Sequence, residues 1–112
     1  MQRWLLKSKL HRGRVTDTDV AYAGSITIDE TLLDAANIAV GERVQVLNVT
    51  NGERFETYTI AGDSGVIEIN GAAARRAEVG DVVIVISYGL YEDNEQADPT
   101  VLSLNADNQI AD

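Results

Sequence analysis

The chain has 112 residues, no cysteine, one histidine and a formal net charge of −9 from 18 acidic and 9 basic side chains. That length suits one small domain with a thin core, which oligomerisation would relieve. Disulfides, thiolate nucleophiles, Cys-ligated zinc and multi-histidine metal sites are excluded, and so acidic a surface is a poor match for nucleic acid or an anionic membrane.

Short runs rich in Val and Ile between Gly, Asn and Asp read as strands. The first is expected over 4–15, with Lys9 and His11 on one face and Leu10 and Arg12 on the other. Asp29 is placed to cap a short helix to about Asn37, with Leu32, Leu33 and Ala36 inward. Strands follow over 43–49 and 54–61, joined at Asn51-Gly52, where both residues tolerate positive φ. Residues 66–69 form another strand, 71–77 one or two helical turns, and Val79-Gly80-Asp81 a turn into a strand over 82–88, expected to be buried on both faces. The acidic stretch 92–100, with Pro99, is expected to be mobile, and 101–105 to add an edge strand. This reading gives a mainly β fold, a small barrel over 1–91 with an acidic tail over 92–112.

Charge is unevenly spread. Residues 1–14 hold five of the nine basic groups (Arg3, Lys7, Lys9, Arg12 and Arg14) and no acid, whereas six acids and no base lie from Gly89 onward. A local cationic strand in an acidic protein suits a small anion or an acidic docking surface. No apolar run is long enough to span a bilayer and none follows the first basic residues as in a signal peptide, so a cytoplasmic protein is expected.

Four segments carry chemistry. In Tyr22-Ala23-Gly24-Ser25 a serine hydroxyl follows a glycine, whose carbonyl it can attack without steric hindrance. The resulting ester can be eliminated to dehydroalanine, which hydrolyses to a pyruvoyl group. That ketone forms an imine with an amino acid and accepts electrons as carbon dioxide leaves. Lys9-Leu10-His11-Arg12 offers an anion site, and Arg54 a bidentate fork for a carboxylate, with Tyr58 on its strand face and Thr57 opposite. Asn70-Gly71-Ala72-Ala73-Ala74 can present backbone N–H groups to an anion. Each segment alone also fits an ordinary turn, hairpin or helix start.

Together, KLHR at 9–12, YAGSITID at 22–29, LLDAANI at 32–38, NVTNGERFETY at 48–58, NGAAA at 70–74 and VGD at 79–81 resemble bacterial aspartate 1-decarboxylases, in order and spacing, from the N-terminus to about residue 91. The resemblance implies a double-psi β-barrel and a homotetramer with active sites at subunit interfaces. It implies self-cleavage between Gly24 and Ser25 into 1–24 and 25–112, a pyruvoyl group from Ser25, and conversion of L-aspartate to β-alanine for pantothenate synthesis. By position, Tyr58 would donate the proton and Thr57 would contact substrate and stabilise the oxyanion of self-cleavage. Lys9 and Arg54 would hold the two substrate carboxylates with His11 nearby, Gly71, Ala72 and Ala73 would line the site, and Tyr22 and Asn70 would support it. No metal is expected. The loop 62–65 is shorter than usual in the family and lies near the Asn70 wall. Glutamate is an alternative substrate, and a non-catalytic barrel that binds an anion or a protein is the alternative function.

Overall fold

A computed structural model describes residues 1–111. In chain order the elements are β1 (Gln2–Arg14), β2 (Asp17–Asp19), β3 (Ser25–Asp29), α1 (Glu30–Ala36), β4 (Arg43–Asn48), β5 (Arg54–Gly62), β6 (Ile67–Asn70), a 3-10 helix (Gly71–Arg76), β7 (Val82–Glu92), β8 (Thr100–Leu104) and β9 (Ile110–Ala111). The strands run in the order β2-β6-β3-β5-β4-β7-β1-β8-β9. β2 continues β1 through Val15 and Thr16, whose N–H groups donate to Asp81 and Ile67 carbonyls at 2.9 and 2.7 Å. The sheet therefore curls back on itself. The result is a small mainly β barrel of the double-psi kind, with parallel β2–β6 and β3–β5 pairs flanking the antiparallel β3–β6 pair.

Alternate residues fill the barrel. Ile26 and Ile28, Val44 and Val46, Ile67 and Ile69, and Val83 and Val85 are all fully buried. Each contributes about 1.5–3 kcal/mol relative to exposure. Helix α1 packs Leu32, Leu33 and Ala36 onto this core. Asp29 caps it by accepting from the Thr31 N–H at 2.8 Å, and Asn37 ends it in the left-handed conformation.

Several expectations are corrected. β1 carries a bulge between Leu10 and Gly13, at which Arg12 takes φ 65. Leu10 and Gly13 both face inward, so His11 and Arg12 are both off the core face and strict alternation fails there. In the β4–β5 connection only Gly52 has positive φ; Asn51 instead accepts from Glu53 N–H through its side chain. β7 is buried on one face, because Val82, Ile84 and Ile86 look outward and are only half-buried. The strand at 100–104 is not an edge, since it pairs with β1 on one side and β9 on the other.

Candidate active site

β3 starts at Ser25, and its alternation sends Ile26 and Ile28 into the core, with Ser25, Thr27 and Asp29 on the other face. β6 runs antiparallel beside it, with Asn70 opposite Ser25. The fully buried Asn70 donates through Nδ2 to Ser25 Oγ and to Thr27 Oγ1, both at 3.0 Å. Ser25, also fully buried, donates its hydroxyl to the Ala23 carbonyl at 2.9 Å. The hydroxyl is thus fixed from two sides, one residue away from the carbonyl it would attack.

The turn after β6 lies against the segment before β3. Gly71 has φ 73, and a Cβ there would fall 2.6 Å from Gly24 Cα, 2.8 Å from Gly24 N and 3.2 Å from the Tyr22 carbonyl. Only glycine lets the chain at 71 approach the backbone of Gly24 so closely. Ser25, Gly24, Tyr22, Asn70 and Gly71 are therefore brought together, with Ala72 exposed and Ala73 half-buried just beyond. Thr27 joins the group although its chemistry was not anticipated. Its position two residues after Ser25 on the same strand face is the signal that identifies it.

Of the other candidates Tyr58 comes nearest to Ser25 in register, whereas Lys9 and Arg54 lie apart within one protomer. The β3–β5 ladder begins at Ile26–Thr59, one step beyond Ser25 and Tyr58. β5 is a regular strand with Thr57 half-buried and Tyr58 exposed on the opposite face, and among the described residues neither hydrogen-bonds to Ser25. Arg54 is exposed at the far end of β5. Lys9 pairs with Ile86, Ile86 with Gln45, and Gln45 with Glu56, so three ladder steps, about 14 Å, separate Lys9 from β5. Lys9, Arg12 and Arg54 make no ion pair among the described residues.

Two buried side-chain polar atoms lack a partner among the described residues, Asn70 Oδ1 and His11 Nδ1. Both belong to the candidate set. An unpaired buried polar atom is disfavoured unless something else binds it. No group of three or more His, Asp or Glu side chains able to hold a metal occurs among these residues. A groove of about 330 Å3 lies away from Ser25 on the outer sheet face, lined by Trp4, Tyr88, Ile86, Gln45 and Glu56 among others.

Two carboxylates near these features are shifted. Glu68, opposite Thr27 and beside β2, titrates above its ordinary value because of burial, a hydrogen bond with Asp17 and the charges of Asp17 and Asp19. Burial alone would push Glu42 up as well. Hydrogen bonds from the Ser87 hydroxyl, the Ala39 N–H and Lys7, with the Lys7 charge, bring it below its ordinary value instead.

With this geometry in hand, a family profile described as Aspartate decarboxylase matches residues 1–111. The aspartate 1-decarboxylase of Haloquadratum walsbyi is 68% identical over 100% of this chain and 98% of its own. Those of Kosmotoga olearia and Helicobacter hepaticus are 53% and 49% identical, over 97% and 98% of this chain and 96% and 94% of theirs. Among solved structures, a rationally designed protein, mkDPBB_sym1, is similar with TM-score 0.48 and 18% identity, over 76% of this chain and 96% of that one. The chain belongs to the aspartate decarboxylase family.

Proposed function

We propose that this protein decarboxylates L-aspartate to β-alanine, after cutting itself between Gly24 and Ser25 and converting Ser25 to a pyruvoyl group. The single observation that carries this is the support of the scissile segment: Gly24 lies against Gly71, and the Ser25 hydroxyl is held by Asn70. The relatives named aspartate 1-decarboxylase supply the substrate and the reaction.

In self-cleavage, Ser25 Oγ adds to the Gly24 carbonyl, and the amide becomes an ester as the nitrogen is released. Loss of the Ser25 α-proton expels the Gly24 carboxylate and leaves dehydroalanine, which takes up water and releases ammonia. The Thr57 hydroxyl stabilises the oxyanion on Gly24. Rotation of Oγ away from the Ala23 carbonyl precedes attack, with the Asn70 donor as its remaining anchor.

The residues at the new terminus fit the pyruvoyl group. Asn70 offers a donor beside Ser25 and an unpaired acceptor, and Gly71 leaves room where any side chain would intrude. When formed, that group supplies an electron-accepting carbonyl for loss of carbon dioxide. Lys9 and Arg54 bind the two carboxylates of aspartate with His11 beside them, and Gly71, Ala72 and Ala73 bound the substrate. Tyr58 Oη delivers the proton that replaces the lost carboxylate. Tyr22 supports the wall.

The separation of Lys9 from Arg54 and Tyr58 within a protomer favours a site shared between copies, in a homotetramer. The exposed Trp4, Tyr88 and Leu90 on the outer sheet face supply apolar surface for such contacts. A cytoplasmic location accords with this chemistry; no helix is long and apolar enough to cross a membrane.

Denaturing mass spectrometry tests the proposal. Two fragments, 1–24 and a 25–112 piece with a pyruvoyl end, are expected, together with β-alanine formation. Ser25→Ala should abolish both, and β-alanine formed by an intact chain would rule the mechanism out.

A further inference from the structure

The last turn of the chain is built around one buried amide. Asn105 donates its N–H to the Gln109 carbonyl at 2.9 Å, and its side-chain oxygen accepts from the Asp107 and Gln109 N–H groups at 2.9 and 3.0 Å. This closed turn holds Asn108 at φ 57 with 1% of its surface exposed. Asn108 Oδ1 accepts from the Arg14 N–H at 2.7 Å, and Nδ2 donates to the Arg14 carbonyl at 2.9 Å and to the Gly65 carbonyl at 2.9 Å. Both amide hydrogens are used, and only this orientation of the amide satisfies all three partners. The side chain thus imitates a strand residue against the end of β1. Gly13 makes the approach feasible, because a Cβ there would lie 2.5 Å from Ile67 Cδ1, 3.3 Å from Leu104 Cδ1 and 3.5 Å from Asn108 Oδ1.

The two ends of this clamp fall on different sides of the Gly24–Ser25 bond. We infer that Asn108 is a positioning residue that retains the 1–24 fragment after self-cleavage, and with it Lys9 and His11. This rests on the self-cleavage proposed above. Before the cut, β1 is tied to the rest of the chain covalently. Afterwards the fragment is held by pairing of β1 with β7 and β8, by pairing of β2 with β6 and by the Thr16 hydroxyl against Ile67, and at Arg14 itself the backbone N–H and carbonyl are both held by the Asn108 side chain. The Gly65 bond extends the hold to the interior, since the Gly65 N–H donates to Asp29 Oδ2 at 2.9 Å and Asp29 ends β3, the strand that begins at Ser25. Loop 62–65 is therefore an anchor point shared by the C-terminal turn and β3.

The test measures exchange of a labelled synthetic peptide of residues 1–24 into the processed protein. Asn108→Gly keeps the left-handed backbone and removes the clamp, and is expected to speed exchange by about tenfold or more. Asn108→Asp, which keeps the acceptor for Arg14 N–H but loses both donors, should also exchange faster than the parent. The Ser25→Ala precursor carrying Asn108→Gly should show no exchange at all. Parent-like exchange in processed Asn108→Gly would overturn the inference. A second measurement needs no variant: the Arg14 amide of the processed parent should be strongly protected from hydrogen exchange, and rapid exchange there would overturn it too. Failure of self-cleavage itself would show separately, as an intact parent chain.

Discussion

Gly71 lies so close to Gly24 that a methyl group on it would come within 2.6 Å of Gly24 Cα. The contact joins two segments far apart in sequence and brings the turn after β6 against the residue that precedes the scissile bond. It also explains why a glycine rather than a fourth alanine opens the 3-10 helix ahead of Ala72, Ala73 and Ala74.

Gly71→Ala is expected to impair self-cleavage. The added carbon meets backbone atoms, which cannot swing aside, and φ 73 is unfavourable for alanine by about 1 kcal/mol or more. The processed fraction, followed by denaturing mass spectrometry over time, should rise at least tenfold more slowly. A parent-like time course in a folded variant would show that the contact is not used.

Asn70→Ala should slow cleavage and lower stability together. It strips the donor from Ser25 and Thr27, and buried groups left unpaired lose about 1–3 kcal/mol. Asn70→Asp, which puts an acceptor where the donor was, should be worse for cleavage than Asn70→Ala. Thermal unfolding and the cleavage time course check the two effects separately.

Tyr58→Phe should leave processing untouched and reduce decarboxylation. The side chain is exposed, so loss of one hydroxyl changes stability by no more than about 0.5 kcal/mol. Removal of the proposed proton donor should lower kcat about 100-fold or more, with KM for aspartate little changed. An unchanged kcat would remove Tyr58 from the mechanism.

Glu42 and Glu68 should give opposite pH signatures. Glu42 is held below its ordinary value, so its stabilising contribution is present above the unfolded-state pKa and is lost as pH falls through the folded one. Glu68 is held above its ordinary value, so the fold favours its protonated form. Its repulsion with Asp17 and Asp19 sets in as pH rises from the unfolded-state value through the folded one. Thermal scans across pH should show Glu42→Gln destabilised at neutral pH and approaching the parent in acid. Glu68→Gln should be more stable than the parent at neutral pH and equal to it in acid.

Local pattern made much of the barrel legible. Asp29 announced α1, Asn37 ended it, alternating Ile and Val marked β4 and β6, and a continuous apolar run marked β7, whereas β3 was not read as a strand. What pattern missed has physical causes. β2 and β9 have three and two residues, too few to show a period. The bulge in β1 changes which face Arg12 takes, and nothing in Leu10-His11-Arg12-Gly13 signals it except the glycine that the core needs at 13. Asn70, Gly71 and Ser25 were candidates by resemblance, but their contact depends on register between β3 and β6, which no local spacing encodes. Lys9 and Tyr58 share the outer face of the sheet but stand three ladder steps apart, a separation set by strand order that no local spacing encodes.

The loop that contains Gly24 joins two strands, β2 and β3, that pair with the same strand, β6, in opposite directions. Cutting it leaves both new ends anchored on one neighbour, so the processed molecule keeps its shape. Its folding history is different. A single chain finds β1 by an intramolecular search, whereas two pieces must meet by diffusion. Once unfolded, the processed protein should refold at a rate that depends on its concentration, and its lifetime in use is then governed by how slowly it unfolds.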